Sequence, residues 1–122
     1  MKNTVLVIED NEQNLYLVRF LLEKRGFQVQ EARDGNLGVA MASQLRPDLI
    51  LLDIQLPRLD GYAVATEIRK DPALQDTPII AVTSYAMVGD REKALASGAT
   101  DYIEKPINPI TFVDQVAKHL PL

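Results

Sequence analysis

The segment 47–57, Pro-Asp-Leu-Ile-Leu-Leu-Asp-Ile-Gln-Leu-Pro, limits the possible folds more than any other stretch of this chain. It is apolar over almost a full strand's length, so it needs cover on both faces. The middle of a parallel sheet lying between two helical layers provides that cover. Its last strand residue, Asp53, delivers a carboxylate to the carboxyl end, where open α/β sheets place their chemistry. Shorter runs end in the same way: Val5-Leu6-Val7-Ile8 stops at Glu9-Asp10, Ile79-Ile80-Ala81-Val82 stops at Thr83, and Tyr102-Ile103 runs into Glu104-Lys105-Pro106. Acids, a hydroxyl and an amine therefore gather at one rim of one sheet.

Strand and helix patterns alternate along the chain with short connections, the signature of a parallel sheet covered on both sides. The first strand reads over 4–8 and the first helix over 11–24, with Leu15, Val18, Leu21 and Leu22 on one face and Gly26 at its close. The second strand, 27–31, alternates apolar and polar residues and belongs at an edge. A helix over 36–44 follows the Asp34-Gly35 turn, and its small residues Gly38, Ala40 and Ala42 suit close packing. After the central strand, 48–53, Asp60 caps a helix reaching about residue 70, and Asp71-Pro72 ends it. The fourth strand is 79–83, and the helix over 88–96 has a weak apolar face made by Ala94 and Leu95. Asn108-Pro109 reads as the cap and first turn of a last helix striped by Phe112, Val113, Val116, Ala117 and Leu120.

At 122 residues the chain suits one domain, 1–122, with a core of its own and no attached output domain. It has no cysteine, which removes disulfides, thiolate metal sites and a cysteine nucleophile. Its single histidine, His119, argues against a zinc site or a Ser-His-Asp triad and reads as a dipole-complementing residue in a last helical turn. A net charge of −4 argues against a nucleic-acid surface, so a protein partner is expected. No apolar run reaches the length of a membrane span, and no leader precedes the first strand; the expectation is a cytoplasmic protein without membrane insertion.

Glu9 and Asp10 facing Asp53 repel one another strongly if all are ionised in a small cleft, and a cation resolves that. Oxygen-only ligands suit Mg²⁺. Direct ligation is assigned to Asp10, Asp53 and the backbone carbonyl of Gln55, with Glu9 acting through a water. Asp53 can also be a nucleophile, since carboxylates attack phosphoryl donors to give aspartyl phosphates. Lys105 then offers a fixed positive charge to a phosphoryl oxygen, and Thr83 a hydroxyl hydrogen bond to another.

These residues carry a resemblance. From Val5–Asn11 through residues 47–53 with Pro57 and Gly61, to Ala81-Val82-Thr83 and Lys105-Pro106, the chain resembles a bacterial two-component response-regulator receiver domain over its whole length. Within that family it is most similar to DivK-like single-domain regulators, through Asp53-Ile54-Gln55-Leu56-Pro57, Ala86-Met87 with Gly89-Asp90, and Lys105-Pro106-Ile107. The resemblance implies a flavodoxin-like receiver fold: a doubly wound five-stranded parallel sheet, order 2-1-3-4-5, with five flanking helices and a cis Lys105-Pro106 peptide. It implies Asp53 as phosphoacceptor, Glu9 and Asp10 as the acidic metal pocket, Thr83 and Lys105 as phosphoryl ligands, and Tyr102 as the switch aromatic.

The function expected is that of a stand-alone phosphorylation switch. It takes phosphate from a histidine kinase or a histidine phosphotransfer protein and signals to a downstream protein target, as a monomer or weak dimer. Its only catalysis is its own phosphorylation and dephosphorylation. Gln55 and Tyr85 are expected to tune the lifetime of the phosphate by limiting access of water. Tyr85, Met87 and Tyr102 form a candidate partner face, and helix 11–24, with Asn14, Tyr16 and Arg19, forms a second. One alternative is the receiver of a hybrid histidine kinase acting as a phosphate relay or sink. Another is an aspartate-nucleophile phosphatase, which Gln55 disfavours because such enzymes place a general acid there. A dinucleotide-binding module is set aside for want of a Gly-x-Gly-x-x-Gly loop.

Overall fold

In the computed structural model, residues 3–57, 59–84 and 89–120 are described. They form a five-stranded parallel sheet in the order β2-β1-β3-β4-β5, with strands Thr4–Ile8 (β1), Gln28–Ala32 (β2), Leu49–Asp53 (β3), Ile79–Thr83 (β4) and Asp101–Glu104 (β5). The helices are Glu12–Lys24 (α1), Gly35–Leu45 (α2), Gly61–Arg69 (α3), Asp90–Ala96 (α4) and Phe112–Ala117 (α5). A 3₁₀ turn, Pro72–Leu74, was not foreseen; Asp71 caps it by accepting from the Ala73 N–H.

The central position of β3 follows from its composition: all five of its residues are buried. Alternate side chains along the strands feed two separate cores, as the pleat demands. Leu6, Ile8, Ile50, Leu52, Ile79 and Ala81 pack with Ala42 of α2, Val64 and Ile68 of α3, and Ala94 of α4. Val5, Val7, Leu49, Leu51, Ile80 and Val82 pack with Leu15, Val18 and Leu22 of α1 and with Phe112, Val113 and Val116 of α5. The β2 strand is an edge, as its alternation implies, although it starts one residue later than the pattern suggests.

Capping side chains set the helix starts. Asn11, Asp34 and Asp60 accept from the N–H groups of Asn14, Leu37 and Ala63 at 2.9, 2.7 and 2.9 Å. Gly26, at φ +96°, ends α1 in the left-handed conformation expected of it. Gly38 lets α2 settle onto β1, because a Cβ there would lie 2.6 Å from Ile8 Cδ1. Ala42 is buried on the same face, but Ala40 points outward and takes no part in that packing.

Two expectations at the C-terminal end need correction. Asn108 does not cap α5: its Oδ1 accepts from Ile110 N–H at 2.9 Å, closing a turn, and the helix starts only at Phe112. His119 does not simply complement a dipole. Its Nε2 lies 2.7 Å from Asp101 Oδ2, tying the end of α5 to the start of β5. That contact, the Tyr102 N–H and Lys118 outweigh the burial of Asp101 and hold its carboxyl below the usual range.

Candidate functional site

Strand parity decides which acids meet. Glu9 and Asp53 continue the rows Val5–Val7 and Leu49–Leu51, one step past the paired residues Ile8 and Leu52, so both emerge on the α1/α5 side of the sheet. They line a small cavity there with Val7, Leu51, Val82 and Phe112. Both are buried, while neighbouring Asp10 is exposed. Carboxylate oxygens of Glu9, Asp10 and Asp53 all lie within 4.8 Å of one another.

Lys105, the residue after β5, joins them. Its backbone N–H donates to Thr83 O at 2.7 Å, and its Nζ sits 2.9 Å from Glu9 Oε1 and 3.4 Å from Asp53 Oδ2. The Lys105-Pro106 peptide is cis, as the resemblance implies. One ammonium does not balance this group of acids. Burial, then hydrogen bonding with and repulsion from Asp53, pushes the Glu9 carboxyl up to about 7 even though Lys105 pulls it down. A hard divalent cation fits this donor set, because it replaces mutual repulsion with coordination by oxygens alone, and exposed Asp10 leaves one side open.

Thr83 belongs to the other face. It continues the row of Ile79 and Ala81, which pack toward α3 and α4, and it is buried. Tyr102, paired with Ala81 in the sheet, lies against the same core. Its hydroxyl is shut away from solvent with no hydrogen-bond partner among the described residues. Burial, with Asp90, Tyr62 and Glu104 nearby, holds this phenol above its ordinary pKa.

Gln55 reaches between the two sides. Its backbone N–H donates to Asp53 Oδ1 at 2.9 Å, its Nε2 donates to Thr83 Oγ1, and its Oε1 accepts from Ser84 N–H at 2.9 Å. The sequence identified Gln55 for its carbonyl and for its place beside the acid, and gave no sign of these side-chain bonds. Two further contributions were missed. The Asn11 N–H donates to Glu9 Oε2 at 3.3 Å, so the residue that caps α1 also steadies an acid. Gly61 lets α3 start directly on the turn that follows Asp53, because a Cβ there would lie 2.5 Å from Ile54 Cα and 2.7 Å from Asp53 O. The Asp60-Gly61 pair at a helix start was the available signal. Tyr85 and Met87 lie outside the described residues.

No helix among the described residues is long and apolar enough to cross a membrane. On the outer surface of α1, Tyr16 is 74% and Phe20 52% exposed, and Ile110 before α5 is 86% exposed.

Residues 5–117 match the family described as the response regulator receiver domain. The chain is 40% identical over 120 residues to the polar-differentiation response regulator DivK of Brucella anthropi and 39% identical to that of Brucella ovis, in each case spanning 98% of both chains. Among solved structures it is similar to the Vibrio cholerae chemotaxis protein CheY4, with TM-score 0.93 and 28% identity over 98% of this chain and 100% of that one. It is also similar to the receiver domain of the Pseudomonas aeruginosa sensor histidine kinase PA1611, described with a magnesium ion coordinated in its active site cleft, with TM-score 0.89 and 36% identity over 97% of each chain. A parallel sheet in the order 2-1-3-4-5, a buried aspartate at the end of its central strand and sequence similarity over nearly the full chain lead to one conclusion: this chain belongs to the response regulator receiver domain family of two-component systems.

Proposed function

We propose that this receiver accepts a phosphoryl group on Asp53 from a histidine kinase or a histidine phosphotransfer protein, and passes the signal on by binding a downstream protein. The observation that carries the reading is the convergence of buried Asp53 with Glu9, Asp10 and Lys105 at one end of the sheet. In the transfer, an Asp53 carboxylate oxygen attacks the phosphorus of a phosphohistidine. A P–O bond forms and the P–N bond breaks, with the electron pair leaving on the imidazole nitrogen, which takes up a proton.

Asp10, Asp53 and the Gln55 carbonyl are the residues that would hold Mg²⁺, with Glu9 acting through a water. When bound, the ion supplies neutralisation of charge on the transferring phosphoryl oxygens. Lys105 provides a fixed positive charge on the same side of the sheet, and Thr83 a hydroxyl from the opposite side. Tyr102 serves as the responsive aromatic. Its partnerless hydroxyl makes the sealed position costly, so a small change at Thr83 suffices to shift it.

For the phosphodonor we assign the outer face of α1, where Tyr16 and Phe20 are exposed beside a groove lined by Leu21, Lys24, Arg25, Pro109, Ile110 and Val113. The reading as a DivK-like regulator is supported by 40% identity to the polar-differentiation response regulator DivK of Brucella anthropi. The phosphatase alternative finds no support, since residue 55 is a neutral amide engaged with Thr83 and Ser84.

A histidine phosphotransfer domain carrying labelled phosphate on its histidine tests the proposal. Label should pass to the wild type and not to Asp53→Asn; equal transfer to both would overturn it.

A further inference from the structure

We propose that Gln55 is a positioning residue that latches the β4 end of the cleft in a resting arrangement and lets go when Asp53 carries a phosphoryl group. This rests on Asp53 being the phosphoacceptor. Oε1 of Gln55 accepts from Ser84 N–H at 2.9 Å, and that fixes the orientation of the amide. Nε2 is therefore the atom facing Thr83 Oγ1, and it donates there. One side chain thus engages the buried hydroxyl and the backbone N–H that follow each other at the end of β4. The same residue's backbone N–H holds Asp53 Oδ1 at 2.9 Å. Gln55 is tied at once to the acid on one face of the sheet and to the hydroxyl on the other.

The Ser84 N–H has one proton to give. While it points at Gln55 Oε1 it is not offered to an anion on Asp53. An amide oxygen is a neutral acceptor, whereas a phosphoryl oxygen is charged and forms the stronger hydrogen bond. The amide therefore keeps the N–H in the absence of phosphate and loses the competition in its presence. Residue chemistry at 55 suits this exchange. A carboxylate there would hold the Ser84 N–H more tightly, would have no donor for Thr83, and would repel the incoming group. An aliphatic side chain would hold neither.

The test is amide hydrogen exchange and methyl spectroscopy on the isotope-labelled full chain, for wild type and Gln55→Leu, before and after treatment with acetyl phosphate and Mg²⁺. Losing one hydrogen bond predicts that Ser84 exchanges about fivefold faster in unphosphorylated Gln55→Leu than in unphosphorylated wild type. The Ser84 amide and Thr83 methyl signals of that variant should also move toward their positions in the phosphorylated wild type. A general loosening of the fold would not shift signals in that direction. Equal Ser84 exchange in the two unphosphorylated proteins overturns the latch. So does a phosphorylated wild type whose Ser84 amide keeps its resting position. Failure of the wild type to take up phosphate would instead overturn the reading of Asp53, and the comparison of unphosphorylated proteins would still decide the latch.

Discussion

The two faces of the sheet build the two sides of the cleft by different means. On the α1/α5 face, charge dominates: Glu9 and Asp53 are buried against Lys105, and the Glu9 carboxyl is pushed up to about 7. On the α3/α4 face the groups are neutral. Thr83 is held by an amide, and Tyr102 presents a hydroxyl with no partner among the described residues. The charged side is arranged for chemistry on a phosphoryl group, while the neutral side, held by weaker bonds, is suited to respond to one. A hydrogen bond between neutral groups contributes about 1 kcal/mol, little enough to be exchanged, whereas an unpaired buried charge costs several times more.

Removing the cation breaks this contrast most severely. In Lys105→Ala the charged side loses the ammonium that is the only one paired with Glu9 and Asp53 among the described residues, and phosphate uptake should fall about 100-fold, the scale of losing a preorganised electrostatic partner. A time course of intact mass with acetyl phosphate measures this, and a loss of less than threefold would leave Lys105 as a structural residue.

Backbone crowding comes next. The Cβ of Gly61→Ala would meet Ile54 Cα at 2.5 Å, and backbone atoms do not give way as side chains do. The variant should lose about 3 kcal/mol in urea unfolding.

The charged side should also respond to pH. The folded carboxyl of Glu9 titrates at about 7 against 4.5 when unperturbed, so the folded protein binds more protons than the unfolded chain between those values. Its contribution is fully present below the unfolded value and is lost as pH rises through the folded one. Without divalent metal, stability should decline between pH 4.5 and 7 by on the order of 2 kcal/mol, and Mg²⁺ should flatten the decline. A metal-free stability profile that rises over this window would contradict the assignment.

The smallest effect belongs to the neutral side. Tyr102→Phe removes a buried hydroxyl that has no partner among the described residues and should stabilise the unphosphorylated protein by about 1 kcal/mol. The thermal midpoint reads it, and a clear loss of stability would mean that the hydroxyl is satisfied in solution.

The layered sheet was legible because its strands are patterned strongly. Leu49–Leu52 is apolar throughout, Asp53 and Thr83 each end a strand, and Glu9 directly follows one. Their division between two faces was not read, because parity becomes informative only once register fixes which strand ends lie side by side. The reach of Gln55 was hidden for a similar reason, since its partners lie 28 and 29 residues away, at the end of another strand and just past it. At the C-terminal end local chemistry misled. Asn108-Pro109 has the residue types of a helix start, yet the Asn108 side chain closes a turn onto Ile110 instead. The bond between His119 and Asp101 joins α5 to β5 across a distance that no sequence pattern encodes.

The central claim, that the charged side exists to phosphorylate Asp53, is tested most directly by intact mass. Wild type and Asp53→Asn are each incubated with acetyl phosphate, with and without Mg²⁺. The account predicts a gain of one phosphoryl group on the wild type only, and only with Mg²⁺. The same gain on Asp53→Asn, or no gain on the wild type with Mg²⁺ bound, would contradict it.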